Sequence, residues 1–521
     1  MRCDVIVVGS GPAGTSAAIE LVAAGRAVTM IEAGQPCGPT RATEPSAGWS
    51  NAAAVRRRSR NTSPKLRVPE NAWMFEDFAR VYDVEARGFE LIGSLAHGGL
   101  SNVWGAGVAE WTDELDDWPA DARSTREWYA PIAERIGVSG PDDDALTAHL
   151  SPTIALQPSV AVGPPSDLLV GRSRHRADAT MLVGGVRHAV LTRPMKGRQA
   201  CDSTGTCLTG CPIGAIYTSQ VELDALATQD GFDLRSGTTV TRIGEEGAWA
   251  YVDITEDGAE WHRLYARRLL VAAGPPATTA LALTMVDQSG AAEARMQSTP
   301  VIAWALMPLR SLPSRFAGGF AMGQGVHLGW PSSKPFRAGE AVYGGFFNAG
   351  ALPLSEMTDR LPGLVARLGR PVLGQLWERL VLATAFLPGR LSRNRIRSEP
   401  RGHTAPPAIR IVGEMTAEAR MAAQSLRGFY RREFARLGWL AIPGSFQVAP
   451  VGSDVHYGAS LPMASRPSDD ALATDTLGRL PLAKRIHFVD GSVLPTLSGK
   501  PHTLTVMANA ARIASTVALY D

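Results

Sequence analysis

Three of the five cysteines in this 521-residue chain lie within one short loop. The segment from 201 to 219 reads CDSTGTCLTGCPIGAIYTS, with the spacing C-x5-C-x3-C-P over Cys201, Cys207 and Cys211. Thiolates are the usual ligands of iron–sulfur clusters, and a closing C-x3-C-P occurs in bacterial ferredoxins. Three ligands suit a three-iron cluster better than a four-iron one, unless Cys3 or Cys37 folds in as the fourth ligand. The spacing therefore predicts a 3Fe-4S cluster in this loop.

The same three cysteines are also compatible with a loop that holds no cluster. The loop could be structural and carry free thiols, or Cys207 could form a disulfide with Cys201 or Cys211 in an oxidising compartment. Zinc is disfavoured, because structural zinc sites take four protein ligands and no histidine lies inside the segment. A cluster implies a dehydrogenase that passes electrons to a protein partner. Without a cluster, oxygen or a diffusible quinone is the expected acceptor.

Two histidines are candidates for acid–base chemistry. His456 lies in the glycine-containing loop HYGASLPM, and His502 lies at the entry to the last predicted helix. Removal of hydride from an alcohol requires a group that takes the hydroxyl proton, and neutral imidazole near physiological pH is suited to that task. Any one of the ten histidines, taken alone, is more often a structural or surface group.

The N-terminus predicts the fold that would position these groups. Residues 4–8 form an apolar run typical of a buried parallel strand, and GSGPAG follows at once. Gly9 permits the tight turn, Gly11 lets a pyrophosphate approach the backbone, and Gly14 lets helix pack on strand. A second apolar run ends in Glu32, eighteen residues past Gly14, where a carboxylate can accept hydrogen bonds from a ribose. The pattern predicts dinucleotide binding.

Two further segments have the same architecture. Arg267–Leu283 reads as a strand that ends at Gly274, followed by a helix after two prolines. Near the C-terminus, a strand over Ile486–Val489 precedes Asp490, a loop and a helix from about Leu504. The sequence therefore predicts an α/β protein in which one nucleotide fold is assembled from both ends of the chain.

Composition limits the partners. The formal net charge is +2 with 20% charged residues, so no global field favours nucleic acid or an anionic membrane. The length allows two or more domains. No run of about 18 apolar residues is uninterrupted, so we expect no transmembrane segment. An odd cysteine count and the absence of a signal-peptide pattern favour a cytoplasmic protein, with export together with a signal-bearing partner subunit as the alternative.

Several motifs together resemble the glucose-methanol-choline (GMC) family of FAD-dependent oxidoreductases. They are GSGPAG with Glu32, GSLAHGGLSNVWGAG (93–107), LLVAAGPPATTALAL, HYGASLPM and VDGSVLPTLSGKPHTLTVMANAARIA, whereas residues 295–440 match only loosely. The cysteine segment resembles the flavoprotein subunits of bacterial glucose, fructose and gluconate dehydrogenases in the same family. In the glucose enzyme that resemblance implies a 3Fe-4S cluster passing electrons from FAD to a cytochrome.

The resemblance implies two domains. One is a discontinuous, Rossmann-like FAD-binding domain of residues 1–150, 200–295 and 441–521, which includes the cysteine segment. The other is an α+β substrate-binding domain with an antiparallel sheet, formed by residues 151–199 and 296–440.

The resemblance also implies site residues. His456 matches the family's base, and His502 matches the partner that orients the alcohol, although Ala459 stands where family motifs often have threonine. His97 could attach flavin covalently, but a plain loop histidine is the preferred interpretation. Asp490 is assigned to the cofactor, with a turn cap as the alternative. The full set of inferred cofactor contacts outside the N-terminal motif is Gly98, Gly99, Ser101, Asn102, Trp104, Gly274, Asp490, Gly491 and Thr503.

The predicted function is FAD-dependent oxidation of an alcohol group on a sugar, polyol or glycosylated metabolite, by hydride transfer to flavin N5. Electrons would leave through the cluster to a small subunit or cytochrome, or to oxygen. One alternative is a sterol-type oxidase or isomerase that acts on an apolar hydroxylated substrate. Another is an electron-relay subunit of a dehydrogenase complex.

Overall fold

The computed structural model describes residues 2–34, 64–173, 180–287, 289–310, 314–316, 318–352, 369–466 and 470–520. The strands are β1 (Arg2–Val8), β2 (Val28–Glu32), β3 (Glu85–Arg87), β4 (Met181–Gly184), β5 (Phe232–Ser236), β6 (Thr239–Glu246), β7 (Trp249–Thr255), β8 (His262–Val271), β9 (Glu293–Ser298), β10 (Val301–Pro308), β11 (Gly325–Gly329), β12 (Val342–Asn348), β13 (Val381–Phe386), β14 (Asn394–Glu399), β15 (Ala408–Val412), β16 (Trp439–Ala441), β17 (Gln447–Val448), β18 (Tyr457–Gly458) and β19 (Ile486–Phe488). The α-helices are α1 (Pro12–Ala23), α2 (Glu76–Val81), α3 (Tyr129–Ile136), α4 (Thr147–Leu150), α5 (Pro164–Ser173), α6 (Ser219–Leu226), α7 (Pro275–Val286), α8 (Arg370–Trp377), α9 (Ala417–Arg436) and α10 (Thr503–Val517).

The first sheet is the predicted nucleotide fold. Its order is β5-β2-β1-β8-β7-β6, and β19 pairs with the end of β8. Strands β5, β2, β1, β8 and β19 are parallel, with Val5 opposite Val28 and Val8 opposite Val271. Every residue of β2 is buried, as expected for a parallel strand covered on both faces. The prediction that both ends of the chain contribute to one nucleotide fold is confirmed.

Buried helices pack beside this sheet. The first helix, α1, packs against the last helix, α10, through small residues such as Ala17 and Ala511, which are fully buried. Helix α7 follows β8 and is buried on nearly all sides, from Pro276 to Thr284. Such all-round burial is typical of an internal helix and explains why its sequence lacks a polar face. Helices α1 and α7 both begin where a parallel strand of the sheet ends.

The second sheet is antiparallel, as predicted for the substrate domain. Its order is β16-β10-β13-β12-β11-β4, with β17 also paired to β10. Helix α9 covers one face, where Trp304 of β10 stacks on Tyr430 with ring centroids 4.7 Å apart. The side chain of Thr416 caps this helix by accepting a hydrogen bond from the Ala419 N–H. The predicted fold class, an FAD-type α/β domain with an antiparallel sheet, is confirmed.

A third sheet, β18-β9-β14-β15-β3, draws strands from both predicted domains. Strand β9 leads directly into β10 of the antiparallel sheet, and β18 pairs with β9 so that Tyr457 lies opposite Ser298. The exact domain boundaries stay a prediction. Within the described ranges, no helix combines the length and the apolarity needed to cross a bilayer.

Candidate active site

A cavity of about 480 Å³ lies between the nucleotide fold and the antiparallel sheet. It opens where β1, β2 and β8 end, at Val8, Ile31 and Ala272, which is the usual place for a ligand in an open α/β sheet. Its volume falls within the roughly 300–1,000 Å³ of typical ligand pockets. Residues on the opposite wall, including Val326 and Phe346, come from the antiparallel sheet.

The glycine motif forms an open cradle at one end of this cavity. Gly9 has φ +93°, and a Cβ added there would lie 2.4 Å from the Ala272 carbonyl oxygen. A Cβ on Gly14 would lie 1.9 Å from the Gly9 carbonyl oxygen, so both positions are packed tightly. Gly11 differs, because no atom lies within 4 Å of its added Cβ. Helix α1 begins at Pro12 without a side-chain cap, which leaves its first amides directed at this space. The cradle fits the pyrophosphate of a dinucleotide.

Glu32 is buried and lines the same cavity. Its Oε2 accepts hydrogen bonds from the Ser10 N–H at 2.8 Å and from the Ser10 hydroxyl, and its Oε1 accepts the Gly34 N–H at 2.9 Å. The carboxylate therefore fixes the glycine turn against β2. Carboxylate oxygens accept more than one hydrogen bond each, so the predicted ribose contact is compatible with these bonds.

The predicted flavin loop divides into residues that line the cavity and residues that shape the turn. Gly99, Ser101 and Trp104 line the cavity. Gly98 lies behind them with φ +81°, and the Asn102 side-chain amide donates to two backbone carbonyls of its own loop at 2.8 and 2.9 Å. Gly98 and Asn102 are thus brought to the site's edge without lining the cavity.

His97 lies outside the residues that line the cavity. It is buried, and its Nε2 lies 3.0 Å from the Ser236 hydroxyl oxygen. This placement supports the plain loop histidine over a point of covalent flavin attachment.

Asp490 has the contacts of a turn cap. Its Oδ1 accepts the Ser492 N–H at 2.9 Å, and its Oδ2 accepts the Thr278 hydroxyl at 2.5 Å. Burial raises the pKa of this carboxyl group, although its hydrogen bonds oppose that rise. Asp490 also lines the cavity, as do Gly274, Gly491 and Thr503. Asp490 therefore caps the turn through its contacts within the protein. Because it also lines the cavity, its carboxyl group can contact a cofactor bound there.

The structure brings His456 and His502 together, although 46 residues separate them in sequence. Their rings are perpendicular, with centroids 4.9 Å apart, and both line the cavity. His456 immediately precedes β18, whereas His502 is the N-cap residue of α10. Phe386 of β13 packs on the His456 ring at a centroid distance of 5.1 Å.

Both imidazoles are neutral at ordinary pH. Burial, and to a lesser extent the neighbouring His502, lowers the pKa of His456 to about 3. Burial alone lowers the pKa of His502 to about 4. The Nδ1 atom of His502 is buried and has no hydrogen-bond partner among the described residues. An orphaned polar atom in a ligand-sized cavity fits a bound group that completes its hydrogen bonding.

Three polar side chains at this site were missed by the sequence reasoning. The Thr299 hydroxyl contacts both the His456 ring and the Asp454 carboxylate. His188 lines the cavity, and its buried Nε2 has no hydrogen-bond partner in the described structure. Asp454 had a usable signal, because it lies two residues before His456 in the same motif. His188 and Thr299 had none, since neither falls in a recognised motif.

The cysteine loop packs against the cavity wall, and the structure gives no evidence for the predicted cluster. Cys201, Cys207 and Cys211 line one cleft of only about 10 Å³, at the lower limit for a single water. Among the described residues, no group of three or more such side chains is arranged to hold a metal. The Ala321 N–H lies 3.5 Å from the Cys207 sulfur, and burial raises the pKa of that thiol. The packing of the loop therefore gives no support to the predicted cluster, and the ligand set stays a prediction.

The described cysteines, Cys3 included, are all free thiols, so neither of the alternative disulfides, Cys201–Cys207 or Cys207–Cys211, is present. Cys37, the other candidate for a fourth ligand, lies outside the described residues.

Comparisons with known proteins agree with the fold. Residues 4–72 match the family model described as FAD binding domain. The chain is 26% identical to 2-methyl-1,2-propanediol dehydrogenase of Mycolicibacterium austroafricanum over 59% of its length and 55% of that protein. It is 25% identical to paromamine 6'-oxidase of Streptomyces fradiae, over 54% and 49% of the two chains, and 28% identical to 6'''-hydroxyparomomycin C oxidase of Streptomyces lividus, over 54% and 50%.

The chain spans about half the length of the curated relatives it matches. Among solved structures, pyridoxine 4-oxidase from Mesorbium loti superposes over the whole of both chains with a TM-score of 0.61 at 16% identity. At that identity the likeness establishes the shared fold.

Proposed function

We propose that the chain is a glucose-methanol-choline oxidoreductase that oxidises an alcohol group of a small molecule. The match of residues 4–72 to the FAD binding domain and the fold shared with pyridoxine 4-oxidase support this proposal. The observation that carries the proposal is the meeting of His456 and His502 in a ligand-sized cavity beside the glycine cradle. Neutral imidazoles at this position can bind and deprotonate a substrate hydroxyl.

Each part of the site has a proposed task. The open space over Gly11 and the uncapped start of α1 would hold the pyrophosphate of FAD, and Glu32 its ribose. Bound FAD supplies the hydride acceptor. His456 takes the hydroxyl proton, and His502 holds the same oxygen by a hydrogen bond that orients the carbinol. The apolar wall excludes water from the reacting carbon.

Two substrate classes are proposed in order. The first is a sugar, polyol or glycosylated metabolite, because the named substrates of the matched relatives are a diol and aminoglycosides. The second is an apolar hydroxylated molecule of the sterol type. It is favoured by the apolar residues Met322, Val326 and Phe346 in the cavity wall and by Phe386, which packs on the His456 ring. The role of an electron-relay subunit is disfavoured, since a relay has no need of two converging histidines.

The electron acceptor is proposed to be oxygen or a diffusible quinone. A 3Fe-4S cluster and a partner cytochrome or small subunit were predicted from the cysteine spacing, but the packing of the loop gives them no support. Cytoplasmic location also stays a prediction.

The test is anaerobic flavin reduction. The chain, loaded with FAD, is mixed with a panel of 2-methyl-1,2-propanediol, paromamine, pyridoxine and cholesterol, and bleaching of the flavin absorption is followed. Bleaching by at least one alcohol, lost in His456→Gln, supports the proposal. Failure of every alcohol to bleach the flavin of a chain that holds FAD stoichiometrically would refute it. Bleaching by cholesterol but not by the polar alcohols would select the second substrate class.

A further inference from the structure

We propose that Thr299 and Asp454 form a proton relay behind His456, which sets its tautomer and accepts its second proton during alcohol oxidation. The inference rests on the proposed function, because it assigns positioning residues to the same site. Neither residue was predicted from the sequence.

Three side chains are connected in a line. The Thr299 hydroxyl oxygen lies 3.1 Å from His456 Nδ1 and 2.9 Å from Asp454 Oδ2. The same Oδ2 accepts the Thr299 backbone N–H at 2.8 Å, so the carboxylate is fixed on Thr299 by two bonds. Since Nδ1 is engaged by Thr299, Nε2 is the nitrogen of His456 that can meet a substrate in the cavity.

A hydroxyl has one proton, and this makes the line directional. When Asp454 is ionised, the Thr299 hydroxyl donates to it and can only accept from His456. His456 must then carry its proton on Nδ1, which leaves the Nε2 lone pair free to act as a base. When Asp454 is protonated, the direction reverses, and the Thr299 hydroxyl donates to Nδ1. The charge of Asp454 therefore selects the tautomer of His456.

The surroundings of Asp454 make it a suitable final acceptor of the proton. It is buried, forms no ion pair with any described residue, and its Oδ1 has no hydrogen-bond partner there. Burial raises the pKa of Asp454 to about 7, although the two bonds from Thr299 and, to a lesser extent, the nearby backbone amides of Asp454 and His456 oppose that rise. The lower pKa of His456, about 3, means that a proton rests better on Asp454 than on the imidazole.

Few other titratable groups face this line. His502 contacts the His456 ring, and burial, followed by the nearby Asp454 carboxylate, raises the pKa of the Tyr457 phenol. The Tyr457 hydroxyl lies within hydrogen-bond distance of the backbone carbonyls of Glu90 and Gly452. The largest causes of the pKa shift of Asp454 are burial and hydrogen bonding by Thr299 and by backbone amides.

The proton balance is simple. The substrate O–H bond breaks as an N–H bond forms at His456 Nε2, the Nδ1–H bond breaks as an O–H bond forms on Thr299, and the original Thr299 proton moves to Asp454 Oδ2. One proton passes from substrate to Asp454, the imidazole ends neutral, and Oδ2 keeps its bond from the Thr299 N–H throughout. The hydride leaves as in the proposed function.

Strand register explains why these residues meet. Thr299 lies between β9 and β10, where the chain passes from the third sheet into the antiparallel sheet. Tyr457 pairs with Ser298, so the residues next to that pair, His456 and Thr299, are held side by side. Asp454 lies two residues before His456, and its carboxylate accepts the hydrogen bond from the Thr299 hydroxyl.

The decisive test does not require turnover. The FAD-loaded chain is labelled with ¹⁵N-histidine, and His456 is assigned by comparison with His456→Gln. Its tautomer is then read from the imidazole nitrogen shifts between pH 6 and 9. We expect the Nδ1–H form to dominate above pH 7 and to lose its dominance in Thr299→Val, whereas Thr299→Ser, which keeps the hydroxyl, preserves it. A dominant Nε2–H form in the wild-type chain above pH 7, or an identical tautomer in Thr299→Val, would overturn the relay.

Kinetics supply the second measurement, with the best alcohol of the panel as probe. The rate of flavin reduction should rise with pH around pH 7 as Asp454 ionises. In Asp454→Asn this pH dependence should vanish, and the rate at pH 8 should fall by roughly 100-fold, toward the lower end of acid–base contributions. A retained midpoint near pH 7 in a folded, FAD-loaded Asp454→Asn chain would contradict the assignment.

The nitrogen-shift measurement and the kinetic measurement together distinguish failure of this inference from failure of the proposed function. If no alcohol reduces the flavin, the proposed function fails while the nitrogen shifts still decide the tautomer. If alcohols reduce the flavin but the tautomer is unaffected by Thr299→Val, the proposed function stands and the relay fails.

Discussion

Adding a methyl group at each of two glycines of the same motif should have opposite consequences. In Gly14→Ala the new Cβ would lie 1.9 Å from the Gly9 carbonyl oxygen, whereas real Cβ contacts essentially never fall below 3.0 Å. Helix α1 must therefore move away from the turn by about 1 Å. The Cβ is fixed to the backbone of residue 14 and the oxygen belongs to the backbone of Gly9, so rotation of a side chain cannot relieve the clash. In Gly11→Ala the methyl group meets no protein atom within 4 Å.

The magnitudes follow from these distances. Overpacking of this kind costs about 1–3 kcal/mol and occasionally more, so Gly14→Ala should lower the stability of the whole domain. Gly11→Ala should fold normally but occupy the space of the pyrophosphate. Loss of one charge-assisted hydrogen bond from the α1 amides costs roughly 1.5–3 kcal/mol, which corresponds to an FAD Kd about 10- to 150-fold weaker.

Thermal unfolding of the apoprotein and fluorescence titration with FAD measure the two effects. Gly171→Ala is the matched control, because Gly171 is an exposed residue of α5 whose added Cβ meets nothing within 4 Å. It should leave both measurements unchanged or raise the melting temperature slightly. Wild-type FAD affinity in Gly11→Ala, or wild-type stability in Gly14→Ala, would refute the reasoning.

The remaining predictions concern the site and the loop behind it. His456→Gln should keep its FAD but slow flavin reduction by about 10²–10⁴-fold in stopped flow; an unchanged rate would exclude His456 as base. The difference in unfolding free energy between wild type and Asp454→Asn should change by up to about 4 kcal/mol between pH 4 and pH 8, since folding raises the pKa of Asp454 from 3.8 to about 7. Because the folded wild type holds this proton longer, it loses stability relative to the variant as pH rises from 4 to 7; parallel curves would contradict the buried carboxyl. Chain purified anaerobically should contain no stoichiometric iron or acid-labile sulfide, and about three irons per chain would restore the cluster hypothesis.

The nucleotide fold was predictable because its signals are local. The apolar run before Gly9, the spacing to Glu32 and the prolines after Gly274 each specify a strand, a turn or a helix start within a few residues. The meeting of His456 with His502 was foreseen only through family resemblance. Their distance depends on the pairing of β18 with β9 and on the docking of α10, which are long-range events.

Two other features could not be predicted for the same reason. The contact of Thr299 with His456 arises from register between distant strands, and no local pattern marks it. The cysteine spacing was compatible with a cluster, but ligand geometry depends on how the loop packs against Phe320 and Ala321, more than a hundred residues downstream. The spacing of cysteines in a sequence limits which thiols can come together, but it does not determine the volume of the site that they enclose.

Because both ends of the chain contribute to the nucleotide fold, this domain cannot be completed early during synthesis of the protein. Strand β19 pairs with β8, and α10 packs on α1, so the sheet lacks a strand and α1 lacks its cover until residues 486–517 have been made. Until then the emerging chain exposes a β8 edge and an apolar helix face, the features that favour association between nascent chains. The cavity beside the glycine cradle is therefore complete only after residues 486–517, which supply part of its wall, have left the ribosome.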